Sequence, residues 1–158
     1  MKALIVYDSY FGNTEQIARA IGAGLGSAHD AEVVRAGDLQ PDHLKDVTLL
    51  GVGSPTRAFR PTPAMVAFLK SLPDGSLTGV SVFAFDTRIG LEKMPKILTF
   101  LARIFGYAAE PMANRLTRKG GRLAAPPSGF FVLGSEGPLQ EGEIERAGAL
   151  ARTLVATH

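Results

Sequence analysis

A chain of 158 residues, 46% of them hydrophobic, has the size and apolar content of one globular domain with one core. Lys and Arg number 17 against 15 Asp and Glu, a formal net charge of +2 that is too balanced to argue for a nucleic-acid partner. Cysteine is absent, which excludes disulfides, thiolate chemistry and Cys-ligated metal and is compatible with a reducing cytoplasm, the expected location.

The first residues, Lys2 to Tyr7, form a short and nearly continuous apolar run. It is too short for a secretion signal and ends at Asp8, so it reads as a strand buried on both faces. The stretch Ser9-Tyr10-Phe11-Gly12-Asn13-Thr14 follows, and Glu15 to Leu25 then repeats apolar residues at Ile17, Ile21 and Leu25, one stripe of a helix. The loop therefore runs from the carboxyl end of a strand into the amino end of a helix. Unpaired N–H groups and the helix dipole favour an anion at such a place. Gly12 lets the backbone come close, and Ser9 and Thr14 offer hydroxyls. The plainer alternative is an ordinary strand–helix turn capped by Asn13 or Ser9.

Glu32 to Arg35 predicts a second strand, Leu39 to Lys45 a connecting turn with Asp38 and Asp42 as caps, and Val47 to Gly53 a third strand closed by Ser54-Pro55. Thr62 to Leu72 predicts a helix, with Pro63 suited to its first turn. Val80 to Phe85 predicts a fourth strand ending at a loop, Asp86-Thr87-Arg88. Met94 to Phe105 is apolar and helical in propensity, and a further helix runs from Ala109 to Lys119, stopped by Gly120-Gly121. Arg122 to Ala124 and Gly129 to Leu133 read as two parts of a fifth strand split by Pro126-Pro127, and Glu141 to Ala156 as a final helix. No stretch approaches the roughly 20 apolar residues of a membrane span. Gly22, Gly24 and Gly26 imitate a dinucleotide fingerprint but belong to a helix terminus. His29, His43 and His158 are scattered, which argues against a metal site.

Alternating strands and helices predict a parallel sheet covered on both faces, whose ligands bind beyond the carboxyl ends of the strands where strand order reverses. Three loops fall there: Ser9–Thr14, Ser54–Arg60 and Asp86–Gly90. The first suits a phosphate. The second offers a rigid turn, a hydroxyl, an aromatic face and two cations, and the third offers Asp86, Thr87 and backbone freed by Gly90. A receiver domain is excluded because Gly53-Ser54-Pro55 stands where an acceptor Asp is needed, and a P-loop hydrolase because its motif does not occur.

With Ser9-Tyr10-Phe11-Gly12-Asn13-Thr14, Gly53-Ser54-Pro55-Thr56 and the strand-four loop in this order and spacing, the chain resembles the flavodoxin family over nearly its whole length. The resemblance implies an α/β, flavodoxin-like three-layer sandwich with a five-stranded parallel sheet in the order 2-1-3-4-5, as one domain over residues 1–158. It also implies non-covalent FMN, with redox protein partners (a reductase and an acceptor) and electron transfer as the role. Carried over by motif, Ser9, Tyr10, Phe11, Gly12, Asn13 and Thr14 would hold the phosphate. Ser54, Pro55, Thr56, Arg57, Ala58, Phe59, Asp86, Thr87, Arg88 and Gly90 would flank the ring. In this reading no side chain need be a catalytic acid or base.

Three departures qualify the likeness. Phe11 stands where the family usually has a hydroxyl residue, the strand-four loop lacks the Tyr that often stacks on flavin, and the charge balance is not acidic. Phe59 is the candidate substitute for that Tyr, or else a packing plug. Arg57, Arg60 and Arg88 are expected to raise the flavin potential wherever they lie within about 6 Å of the ring, and Asp86 to oppose them or accept a hydrogen bond from it. Residues 90–108 look like a helical insertion, serving as an extra helix packed on the core, as a lid, or as a docking surface through 91–105. An NAD(P)H-dependent FMN quinone reductase and an interaction module that has lost FMN remain as alternatives.

Overall fold

The computed structural model describes residues 1–27 and 29–157, so His158 lies outside the described residues. Strands β1 (Lys2–Tyr7), β2 (Asp30–Arg35), β3 (Leu49–Pro55) and β4 (Ser81–Ile89) pair in parallel in the order β2-β1-β3-β4. Two segments share the fifth position. β5 (Arg122–Leu123) pairs with the start of β4, and β6 (Ser128–Val132) with its end, on either side of Pro126-Pro127. The sheet is thus the flavodoxin-like parallel arrangement 2-1-3-4-5.

Two strands run further than their apolar patterns suggest. β3 begins at Leu49 rather than Val47 and continues through Ser54 and Pro55. β4 continues through Asp86, Thr87 and Arg88 to Ile89, so these residues are strand and not loop. The reason is pairing. Ser54 and Pro55 register with Asp86 and Thr87 on one side, and Gly129, Phe130 and Phe131 register with Asp86, Thr87 and Arg88 on the other. A ladder on both sides keeps polar residues in a strand that their own propensity would end.

Helices α1 (Asn13–Gly24) and α5 (Glu143–Thr157) cover one face, α2 (Pro63–Ser71) and α4 (Ala109–Arg118) the other. Alternate strand residues enter opposite cores. Ile5, Leu49, Phe83 and Phe85 meet Ile17, Ile21 and Leu154, whereas Leu4, Leu50, Val52 and Val82 meet Met65, Leu69 and Leu116. A short helical turn at 91–93 and helix α3 (Lys96–Phe105) lie between β4 and α4. Contrary to the core-packing expectation for this segment, only Ala102 of α3 is buried.

The glycines of the false fingerprint do different jobs. A Cβ at Gly22 would stand 2.7 Å from Val33 Cγ2, and one at Gly24 would stand 2.8 Å from Ala151 Cβ, so both are contact points inside α1. Gly26 alone takes the left-handed conformation beyond the helix end, at φ 89°. In β3, Gly51 and Gly53 leave the space that the rings of Phe83 and Phe85 fill, and a Cβ at Gly53 would sit 2.1 Å from the Phe85 ring. Gly53→Ala should therefore overpack the β3–β4 contact and lower the unfolding free energy by about 1–3 kcal/mol in urea denaturation.

The last helix is locked to the sheet through one carboxylate. Buried Glu143 accepts from the Phe131 amide at 2.7 Å and pairs with Arg146 at 2.6 Å, and the Arg146 guanidinium lies 4.4 Å from the Phe130 ring centroid. Burial alone would raise the Glu143 carboxyl, but Arg146 and the Phe131 amide together hold it below its ordinary value of 4.5. A lowered folded value adds stability that is present above that ordinary value and is lost as pH falls through the folded one. Glu143→Gln should cost about 1.5–3 kcal/mol at neutral pH. Its deficit in urea denaturation should shrink as the pH is taken below the carboxylate range.

Candidate functional site

The turn leaving β1 is held from below. Arg35, at the end of β2, donates to the Ser9 carbonyl at 2.5 Å and to Asp8 Oδ1 at 3.3 Å. Gly12 stands at φ 88°, with open space where a Cβ would be. Its amide donates to Ser9 Oγ at 3.0 Å. No side chain caps α1, in contrast to the plainer reading of Ser9 or Asn13 as a cap: Asn13 is the first helical residue and its side-chain amide donates to the Glu136 carbonyl at 3.1 Å. The amides of Tyr10, Phe11, Asn13, Thr14 and Glu15 have no protein acceptor among the described residues. Together with the positive end of the helix dipole they form an anion cradle. Thr14 Oγ1 is 2.8 Å from Thr87 Oγ1, a buried contact that ties this cradle to β4.

Facing the cradle across a cavity of about 450 Å³ is the turn after β3, with Pro55, Thr56, Arg57 and Ala58 in the wall. That volume lies in the range of small-molecule sites. Mutual backbone hydrogen bonds between Arg57 and Arg60 close the turn, and Ala58 and Phe59 take left-handed φ values of 47° and 67°. Non-glycine residues rarely adopt this conformation, so a tight turn is being held at some cost. Thr56 is used structurally: its amide donates to the Thr87 carbonyl at 3.0 Å and its hydroxyl accepts from the Ala108 amide at 3.1 Å. Thr87, Arg88 and Ile89 of β4, Val132 at the end of β6 and Ser135 beyond it complete the lining.

Of the sequence-predicted site residues, the structure brings Ser9, Tyr10, Phe11, Asn13, Thr14, Pro55, Thr56, Arg57, Ala58, Thr87 and Arg88 to one cavity. Gly12 contributes through its turn conformation. Ser54, Phe59, Asp86 and Gly90 do not line it. Ser54 is fully buried and its hydroxyl accepts from the Thr62 amide at 3.0 Å, at the start of α2. Phe59 turns to α3, its ring centroid 5.9 Å from that of Phe105, so it is a packing contact and not a wall of the cavity. Gly90 is buried beneath the Glu92 carboxylate. No residue of 91–105 lines the cavity, in contrast to the lid alternative for this segment.

Asp86 overturns the expectation of a ring-facing carboxylate. It is fully buried and accepts from Arg88 Nε and Nη2, both at 2.7 Å, and from the Ala109 amide at 2.9 Å. Burial raises its carboxyl above the ordinary value, and Arg88 and the Ala109 amide oppose that rise. Arg88 is in turn neutralised, and its guanidinium lies 3.8 Å from the Tyr107 ring centroid. Arg60 is turned to a separate groove with Pro61, Pro63 and Arg115. Arg57 has no carboxylate partner among the described residues and lies over the exposed rings of Tyr10 and Phe11, 5.2 Å and 5.9 Å from their centroids. Of the three arginines, it alone brings an unpaired charge to the cavity. Among the described residues, no three His, Asp or Glu gather as metal ligands.

Sequence reasoning missed Val132 and Ser135, and it included Ile89 only as part of the Asp86–Gly90 segment, where pairing with β6 makes it strand. Val132 and Ser135 lie at the carboxyl end of the fifth strand, where the same rule that located the other loops could have found them.

The sequence model of the family described as Flavodoxin matches residues 5–147 of this chain. The chain belongs to the flavodoxin family. Its fold is similar to that of an archaeal flavodoxin, with a TM-score of 0.76 and 22% identity, covering 99% of this chain and 97% of that one. Flavodoxin 2 of Bacillus cereus is similar at a TM-score of 0.79 and 22% identity over the whole of both chains. Oxidised flavodoxin 1 of the same organism reaches 0.79 at 17% identity, covering 100% of this chain and 99% of that one. No curated protein sequence matches the chain at a significant level.

Within this flavodoxin-family site, Ser54 is distinguished from its neighbours by where its hydroxyl points. Ser54→Ala should leave the buried Thr62 amide without an acceptor and cost about 1–3 kcal/mol in urea denaturation. A hydroxyl that faced a ligand would show no such loss.

Proposed function

We propose that this chain binds FMN non-covalently in the cavity between the β1 turn, the β3 turn and the end of β4, and carries electrons between a reductase and an acceptor protein. One observation carries the reading: a row of backbone amides without acceptors at the start of α1 forms one wall of a cavity large enough for a small aromatic ligand. A phosphomonoester joined to a flat polar ring has the two ends that this site asks for. Bound there, FMN supplies one- and two-electron chemistry that no side chain of the protein provides.

The residues divide the work. The amides of Tyr10, Phe11, Asn13, Thr14 and Glu15 and the hydroxyls of Ser9 and Thr14 would take the phosphate, with Arg35 holding the loop in shape behind them. Pro55, Thr56, Arg57, Ala58, Thr87 and Arg88 would surround the ring. Arg57 would favour negative charge on the ring, an effect of the order of a few kcal/mol at moderate dielectric. Arg88 contributes little of this kind, because Asp86 pairs with the Nε–Nη2 edge of its guanidinium through both carboxylate oxygens. No chain group needs to deliver a proton for this role, which suits a carrier rather than a catalyst with its own substrate.

Purified protein titrated with FMN should turn yellow and show saturable flavin absorption at micromolar cofactor. Gly12→Ala, which puts a Cβ at φ 88° at a cost of roughly 1–2 kcal/mol, should weaken that binding by about tenfold. Protein that stays colourless would remove the cofactor and with it the carrier role.

A further inference from the structure

Helix α3 is built inside out. At 100° per residue, Phe100, Ile104, Ile97, Leu101, Phe105 and Leu98 share one arc of about 160°, and Thr99 and Ala102 fall on the other side. The small side faces the protein. Ala102 is the only buried residue of the ten, and the Thr99 hydroxyl donates to the Leu91 carbonyl at 3.1 Å. The bulky side faces outward, with Ile97 64%, Phe100 58%, Ile104 59% and Phe105 63% exposed. Half of the exposed large hydrophobic residues of the described chain sit on this one helix.

Charge is distributed unevenly too. Lys96 and Arg103 lie together along one border of the apolar arc and α3 itself contains no Asp or Glu. The adjoining turn adds Lys93 and one carboxylate, Glu92, leaving the segment 91–105 with three cations against one anion. A second copy of the chain is a poor occupant, since pairing two such helices would bring like charges together. The face is a row of exposed side chains on one helix, and none of its residues lines the cavity beside the β1 turn, so a protein partner would have to provide a groove to receive it. A bilayer surface requires no such groove. It accepts protruding Phe and Ile side chains at the level of the headgroups and offers lipid phosphates to cations at the border.

We infer that α3 is an interfacial anchor that lays its apolar arc on an anionic lipid bilayer, with Lys93, Lys96 and Arg103 at the lipid phosphates. The segment 91–105 is thus a docking surface whose occupant is a lipid surface, and the inference stands apart from the FMN reading. No helix among the described residues is long and apolar enough to cross a membrane.

Vesicle co-sedimentation of the full chain tests this, comparing phosphatidylcholine vesicles with and without phosphatidylglycerol. Binding should be at least about tenfold tighter to the anionic vesicles and should weaken with added salt. The double change Ile97→Ser and Ile104→Ser should reduce it by about tenfold or more. The changes Lys96→Gln and Arg103→Gln should reduce it by about fivefold per charge on anionic vesicles only. Far-UV circular dichroism of each variant, unchanged from the parent, shows that the fold is intact. Absence of vesicle binding, or equal binding by parent and Ser variant, overturns the inference. So does a dimer in light scattering that the Ser variant dissociates, or α3-dependent binding to an acidic redox protein without any binding to vesicles.

Discussion

Because β1, β3 and β4 are covered by helices on both faces, their backbone groups must pair with one another, and the chain can reverse only beyond the strand ends. That constraint puts the turns after β1 and β3 and the end of β4 at one edge of the sheet. It acts through close packing at β3, where Gly51 and Gly53 make room for Phe83 and Phe85 and keep these strands in register. Thr14 and Thr87, in buried contact at 2.8 Å, then hold the anion cradle at a set distance from β4. The site is a consequence of the packing of the sheet beneath it.

Many of the polar groups near the cavity are already occupied by the protein itself. Ser54 serves the start of α2, Thr56 joins Thr87 and Ala108, and Asp86 is shared between Arg88 and the first turn of α4. These bonds make the walls stiff and leave few groups to face a ligand. What remains differs by character: backbone amides of the β1 turn on one wall, and from the facing β3 turn an arginine that reaches over the exposed rings of Tyr10 and Phe11. The electrostatics of the cavity are therefore governed by Arg57 and the α1 dipole more than by the count of charged residues around it.

Helix α3 obeys a different rule from the rest of the chain. Elsewhere apolar stripes turn inward and close the two cores, but here most of the stripe turns outward, with Ala102 buried, Thr99 bonded to the preceding turn and only Phe105, at the stripe's edge, meeting Phe59. Two features hold it in this orientation: the ring contact between Phe59 and Phe105, and the Thr99 bond to the turn at 91–93. Exposed apolar area of this size on a small protein is costly to keep in water and marks a surface with a use.

The alternation of apolar runs and helical stripes was enough to place five strand positions, the helices between them and the turns after β1 and β3, because period and turn chemistry are local properties of the chain, whereas the third converging segment is the end of β4 and not a loop. The phosphate turn was legible for the same reason: Ser9 to Thr14 carry their own instructions for a strand–turn–helix. The roles of Asp86, Phe59 and Ser54 were not legible, since each depends on a partner distant in sequence, namely Ala109, Phe105 and Thr62. The same holds for Val132, which stands beside Ile89 at the site because β6 pairs with the end of β4. Local pattern determined which segments meet at the site, and tertiary contact decided which side chains of those segments turn toward it, because a side chain's direction depends on the neighbours that satisfy it.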